Sequence, residues 1–329
     1  MKKIAINGFG RIGRAALKVI METPDLELVA VNDLLSIENA AYLLKYDSVY
    51  GRYDKEVRTK DGYLYIGEKK ISYHSEKNPS DLPWKKLGVE TVIESTGIFT
   101  KREDAEKHIL AGAATVVISG PTKSADTPTV VHGVNTQDGK INIFSCASCT
   151  TNNVSPILEI IGRRIGIKKA ILNTIHAYTA SQSIVDGPSK KKPRMGRAAA
   201  MNLVPASTGA AIATIKTLPQ FDGKFDGVAI RTPVVVGSIS DITFVADRAT
   251  TAKEINDILK EEAATDRYKE IVSVTNEPLV STDIIQSPFA AIIDMEMTRV
   301  VDGDLVKIMA WYDNEWGFTN QMIRQIKVS

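Results

Sequence analysis

The sequence predicts an α/β protein in two parts, a doubly wound parallel sheet followed by an α+β layer whose sheet is mixed or antiparallel. Three observations carry that expectation. Over the first half, short apolar runs alternate with helical patterns, as βαβ units require. From about residue 168 the strand patterns lengthen and outnumber the helices, which favours antiparallel pairing with helices on one face. At 329 residues the chain is about twice a usual domain of roughly 150, so two cores are expected. The boundary falls at residues 148 and 149.

The first elements carry a motif. Ile4-Ala5-Ile6 reads as a short apolar strand, followed by Gly8-Phe9-Gly10-Arg11-Ile12-Gly13 and a helical pattern through Ala15-Ala16-Leu17 and Val19-Ile20-Met21. A second strand, Leu26 to Val31, runs into Asn32-Asp33. Glycine spacing alone says little. A glycine motif that follows a strand, opens a helix and has an acid 20 positions beyond Gly13 is the context of a Rossmann-type dinucleotide site. Gly8 and Gly10 let main chain approach a pyrophosphate, and Gly13 lets the helix pack close to the strand. Asp33 would accept hydrogen bonds from ribose hydroxyls and repel a phosphate there, which favours NAD over NADP. The plainer reading of Asp33 is a solvated loop carboxylate.

The segment from Tyr50 to Tyr73, punctuated by Gly51, Gly62 and Gly67, reads as hairpin strands. Thr91 to Gly97 and Ala114 to Gly120 read as apolar strands ending in small or hydroxyl residues, with a helix from Arg102 to Leu110 between them. Ligands of an open parallel sheet bind beyond the carboxyl ends of its strands, so Thr96, Gly97 and Ser119 should border the cofactor.

Lys140 to Phe144 alternates like a short strand, and Val154 to Ile161 has helical spacing with Pro156 early. Cys149 therefore sits at a strand-to-helix turn. Helix N-terminal N–H groups can pull a thiol below its free pKa of roughly 8.5, which makes Cys149 a candidate nucleophile. The same N–H groups, with Ser148, Thr150 and Thr151, suit an anion.

The second half supplies the partners. Ala170 to His176, Val228 to Thr232, Ser240 to Val245 and Leu305 to Tyr312 read as strands, and a last helix follows Gly317. Of four histidines, His108 falls on a helix and His74 and His132 among loop residues. His176, ending a strand before a polar stretch, is the best base for Cys149. An ordinary core histidine is the competing reading. Thr179 and Thr208-Gly209 offer hydroxyl and N–H donors, and Arg231 offers a charge for a phosphate or for a plain surface ion pair.

Composition excludes several classes. A formal net charge of +2 gives no bulk argument for nucleic acid or membrane binding. No signal peptide or membrane span is expected. Two cysteines in so long a chain form no disulfide framework, which fits a reducing, cytoplasmic setting.

Taken together, Ala5-Ile6-Asn7-Gly8-Phe9-Gly10-Arg11-Ile12-Gly13-Arg14, Ala147-Ser148-Cys149-Thr150-Thr151-Asn152, His176-Ala177-Tyr178-Thr179, Asp186-Gly187-Pro188-Ser189-Lys190 and Trp311 to Trp316 closely resemble the phosphorylating glyceraldehyde-3-phosphate dehydrogenase family, along essentially the whole chain. The resemblance implies Cys149 as nucleophile and His176 as its base. It implies Ser148, Thr150, Thr208 and Gly209 as the site of attacking inorganic phosphate, and Thr179 and Arg231 as holders of the substrate phosphate. For NAD it implies Arg11 and Ile12 at the pyrophosphate, Asp33 at the ribose, Lys77 and Ser119 at neighbouring groups and Asn314 at the nicotinamide amide. Pro188 matches the NAD-preferring form. The resemblance further implies a 1–148 NAD domain on which a helix over 315–329 packs back, a 149–314 catalytic domain and a homotetramer; with no second Cys-x-x-Cys and no histidine pair near Cys149, no metal is expected.

Two departures stand out. The family usually has Asn where this chain has Cys146 and often a second cysteine where it has Asn153, so the pair here is Cys146-x-x-Cys149. That spacing also suits a redox pair or half a metal site. A regulatory disulfide is one expectation to test. The competing functions are an erythrose-4-phosphate dehydrogenase, a relative that usually has Glu where this chain has Asp33, and a nucleic-acid or partner-binding protein using the basic loop over 190–197.

Overall fold

The structure, a computed structural model, describes residues 1–135, 141–189 and 192–329, so Lys140 of the expected strand and Lys190 and Lys191 of the basic loop lie outside the described residues. The chain divides into two compact units. One comprises Met1–Val130, a short stretch ending at Ala147, and Met322–Ser329; the other comprises Val131–Asn135 and Ser148–Gln321.

The first unit is built on an eight-stranded sheet. Its order is Ile143–Ser145, Thr115–Ile118, Thr91–Glu94, Lys2–Asn7, Leu26–Asn32, Lys69–His74, Tyr63–Ile66 and Val57–Lys60. The first six run parallel, and the last two turn back as antiparallel hairpins. The central strands Lys2–Asn7, Thr91–Glu94 and Thr115–Ile118 are buried over most of their length, which is why they read as apolar runs. Helix Arg102–Leu110 covers Val116, Ile118 and Ile143 through Ala105 and Ile109. Lys2 Nζ donates to the carbonyls of Ile326 (2.8 Å) and Ser329 (2.7 Å), tying the end of the last helix, Trp316–Val328, to the first strand. His74 differs from expectation: it ends a strand, because Lys69–His74 pairs parallel to Ala30–Asn32 and extends the sheet.

The second unit holds a seven-stranded mixed sheet in the order Val204–Ser207, Phe225–Thr232, Ile167–Ala177, Ser238–Ala246, Leu305–Tyr312, Ala291–Val301 and Val272–Thr275. Only two of its pairs are parallel, Ile167–Ala177 with Phe225–Thr232 and Val272–Thr275 with Ala291–Val301. Strict alternation along Ser238–Ala246 buries one face. Helix Cys149–Arg164 lies among Ala210–Thr217 and Ala252–Ala263 over the sheet. It starts earlier than its apolar pattern suggests, so Pro156 stands in its interior and removes one i→i−4 hydrogen bond. Burial of the helix from Thr150 to Leu158 offsets that loss.

Candidate active site

In the first unit a cleft of about 670 Å³ is lined by Gly8, Gly10, Asp33, Lys77 and Thr96, together with Asn7, Asn32, Glu76 and Phe99. Its floor needs the glycines. Gly8 has φ +94°, and a Cβ there would stand 2.5 Å from the Thr96 nitrogen; a Cβ on Gly13 would stand 2.1 Å from the Gly8 carbonyl oxygen. Helix Arg11–Met21 has Gly10 as its N-cap and no side-chain cap, and a helix N-terminus favours an anion. Asp33 is held by the N–H of Phe9 on Oδ2 (2.5 Å) and of Leu35 on Oδ1 (2.9 Å), and each oxygen keeps capacity for a hydroxyl. Glycine cradle, helix terminus and fixed carboxylate fit a dinucleotide.

Not every expected cofactor residue reaches that lining. Gly13 packs beneath the cleft and Gly97 sits in a turn at φ +71°. Ser119 donates its N–H to Glu94 O (2.9 Å). Arg11 spends its guanidinium on Asp47 (2.5 Å) and over the Tyr50 ring, so what it and Ile12 present to a pyrophosphate is main chain. Asn314 belongs to the second unit. Its Oδ1 accepts from Gly237 N–H and Ser238 Oγ, both at 3.1 Å, which leaves Nδ2 as the donor to present.

The second unit gathers a cluster around Cys149, the first residue of its helix. Ser148 is the N-cap and accepts from Thr151 N–H (3.1 Å). Ala147, just before it, holds φ +60°, a left-handed conformation that costs an alanine about 1 kcal/mol and turns the chain sharply into the helix. Cys149 Sγ lies 3.4 Å from His176 Nε2. Strand register brings the rest. His176 is paired with Arg231 across adjacent parallel strands, and Arg231 Nη1 lies 2.7 Å from His176 Nδ1. The same Nδ1 is 2.7 Å from the Ala177 carbonyl.

These contacts set the charges. Burial first, then Arg231, pushes His176 down to about 3, against the pull of the Ala177 carbonyl. Burial pushes the Cys149 thiol up, which corrects the expectation of an acidic thiol in the isolated chain; Arg231, the Thr150 hydroxyl and helix-start N–H groups pull it down. Cys146 is buried and its thiol is pushed far up by burial alone, so it is no ready source of thiolate for a disulfide.

The expected phosphate ligands each bond a different partner. Thr150 Oγ1 bonds Tyr312 Oη (2.9 Å), Thr179 Oγ1 bonds Ser181 Oγ (2.9 Å), and Thr208 Oγ1 accepts from Ala210 N–H (3.1 Å) beside Gly209, the N-cap of its helix. One member of the cluster was not singled out from the sequence. Tyr312 Oη bridges Thr150 and Thr174 (2.8 Å), and its ring meets His176 edge-on at 6.0 Å. Its signal was the alternation of Leu305–Tyr312, which turns Tyr312 to the buried face.

Two family models match the chain: the glyceraldehyde 3-phosphate dehydrogenase NAD binding domain over residues 2–102, and the C-terminal domain of the same family over 148–314. Among curated proteins, the glyceraldehyde-3-phosphate dehydrogenase of Zymomonas mobilis subsp. mobilis is 46% identical over 325 residues, 98% of this chain and 96% of the relative. That of Clostridium pasteurianum is 43% identical over 333 residues, 99% and 98% of the two chains. That of Thermotoga maritima is 45% identical over 332 residues, 100% and 99%.

Proposed function

The chain belongs to the glyceraldehyde-3-phosphate dehydrogenase family of NAD-dependent oxidoreductases, and from that premise we propose that it converts D-glyceraldehyde 3-phosphate and inorganic phosphate to 1,3-bisphosphoglycerate through a thioester on Cys149. The observation that carries the reading is the 3.4 Å approach of Cys149 Sγ to His176 Nε2 at a helix N-terminus, with Arg231 against the same ring.

The residues divide the work by chemistry. Cys149 passes its proton to His176 Nε2 as its sulfur adds to the aldehyde carbon, the proton goes on to the carbonyl oxygen to give a hemithioacetal, and Nε2 takes that hydroxyl proton back as the carbon is oxidised to a thioester. NAD, held by Gly8, Gly10, Asp33, Lys77 and Thr96 and by the main chain of Arg11 and Ile12, supplies the hydride acceptor. Inorganic phosphate then displaces Cys149 from the acyl carbon. Ser148, Thr150, Thr208 and Gly209 are the proposed phosphate-holding groups, Thr179 and Arg231 those for the substrate phosphate, and Asn314 that for the nicotinamide amide.

Arg231 links substrate binding to base strength. Nδ1 lies 2.7 Å from both Arg231 Nη1 and the Ala177 carbonyl, and only the tautomer whose Nδ1–H donates to that carbonyl leaves Nε2 able to act as a base. A substrate phosphate that draws Arg231 towards itself favours that tautomer, with Nδ1–H on the Ala177 carbonyl and Nε2 the acceptor facing Cys149.

The catalytic unit is taken as 149–314 and the NAD unit as 1–148 with the last helix. Ile171, Val228 and Leu305 stand 58%, 52% and 41% exposed on sheet strands, an apolar face that supports a homotetramer. Two cysteines without a disulfide support a cytoplasmic setting. Among the described residues no helix is long and apolar enough to cross a membrane.

The test is NADH formation with triose phosphate in the presence and absence of inorganic phosphate. Turnover is expected to require phosphate and to exceed that on erythrose 4-phosphate; either result reversed would overturn the reading. Sedimentation of the purified chain tests the tetramer.

A further inference from the structure

Four of the stretches of chain that wall the cofactor cleft are the end of the first strand at Asn7-Gly8, the end of the second at Asn32-Asp33, the stretch from Glu76 to Pro79, and the turn after Glu94. One buried chain of hydrogen bonds joins all four. It begins away from the cleft at Trp84, whose Nε1 donates to His108 Nδ1 (3.0 Å). An indole N–H can only donate, so Nδ1 accepts and the ring hydrogen sits on Nε2. Nε2 in turn donates to Glu94 Oε2 (3.2 Å). Asn7 Nδ2 donates to the same oxygen (2.6 Å), while Glu94 Oε1 accepts from the N–H (2.8 Å) and the hydroxyl of Thr96. Asn7 Oδ1 accepts from Asn32 Nδ2 (2.7 Å), and Asn32 bonds both the N–H (2.8 Å) and the carbonyl (2.9 Å) of Glu76.

Glu94, His108 and Trp84 are all at most 1% exposed, and none of them lines the cleft. Four donors converge on the carboxylate, which asks for acceptor capacity on both oxygens; an amide would turn one of them into a donor facing donors. The geometry it holds is tight. A Cβ on Gly8 would lie 2.5 Å from the same Thr96 nitrogen that Glu94 fixes, so the turn after Glu94 rests directly on the glycine loop.

We propose that Glu94 is a positioning residue for NAD: by gathering Asn7, Thr96 and His108 on one buried carboxylate, it holds the glycine loop, the ribose-binding strand end and the 95–98 turn at the spacing the dinucleotide needs. Trp84 serves it by fixing the His108 tautomer. The proposal rests on the reading of this cleft as the NAD site.

The experiment measures NAD affinity of the full-length protein directly, by calorimetry and by quenching of tryptophan fluorescence, for wild type, Glu94→Gln, Trp84→Phe and Asp33→Ala, with steady-state kinetics and melting temperature alongside. Glu94→Gln is expected to raise the NAD dissociation constant and KM about tenfold, with kcat at saturating NAD within about twofold of wild type and alkylation of Cys149 by iodoacetamide unchanged. Trp84→Phe should raise the constant about threefold. A purely structural role would lower the melting temperature and leave the affinity of the folded protein as it was. The proposal is overturned if folded Glu94→Gln binds NAD as wild type does while Asp33→Ala binds weakly, or, should Glu94→Gln fail to fold, if Trp84→Phe binds as wild type. If Asp33→Ala also binds as wild type, the placement of NAD in this cleft fails first.

Discussion

The cleft of the first unit has a floor of glycines and a helix terminus between Gly8 and Gly13, whereas the cluster of the second is made of side chains drawn from residues 149, 176, 231 and 312. That floor needs only a short contiguous stretch between a strand and a helix. The second exists only when strands pair in one register: shifting Ile167–Ala177 by one residue against Phe225–Thr232 would turn His176 to the other face. A site built of main chain leaves a compact motif in sequence, and a site built of side chains leaves scattered residues that look ordinary alone.

The comparison predicts that chemistry and cofactor affinity can be damaged separately. The largest effect is expected at Cys149→Ser, where dehydrogenation falls by more than about 10³ while NAD binding stays at the wild-type level. Weakened NAD binding in this variant, measured by calorimetry, would break the separation. Next comes His176→Asn, with kcat reduced by about 10² to 10⁴ and the KM for NAD unchanged in steady-state kinetics. Asp33→Ala should act in the opposite sense. It is expected to raise the KM for NAD about tenfold, leave kcat at saturating cofactor within about twofold, and improve the relative use of NADP.

The smallest effect concerns stability. His176 is held at about 3 in the folded chain and titrates near 6.5 when unfolded, so between these values the unfolded state binds more protons. Its contribution is fully present above about pH 6.5 and is lost as pH falls towards 3. Lowering the pH from 7 to 5 should therefore reduce the melting temperature more in wild type than in His176→Asn. Equal losses in calorimetric scans would show that the histidine is not held in this way.

The dinucleotide fold was legible because Gly8, Gly10, Gly13 and Asp33 combine with buried strands whose apolar runs are unbroken. The helix start at Cys149 was legible from the hydroxyl residues around it. The thiol's acidity was not, because burial opposes the helix terminus and burial depends on the packing of Cys149–Arg164 beneath its neighbours. The fate of the Arg11 guanidinium was not legible for a similar reason. Asp47, 36 residues away, takes its guanidinium, and no local pattern announces that pairing. Tyr312 and Glu94 read as ordinary strand residues until their partners at Thr150, Thr174, Asn7 and His108 are seen.

The sequence by itself determined the two-part α/β organisation, the glycine cradle, the identity of the thiol and the class of reaction, because each depends on local periodicity or on a motif whose residues are neighbours in the chain. Tertiary structure alone decided that Arg231 lies on His176, that Tyr312 joins the cluster and that Glu94 ties together the walls of the cleft. Those contacts are set by strand register and by the need of buried polar groups to find partners, and neither is visible until the chain has closed on itself.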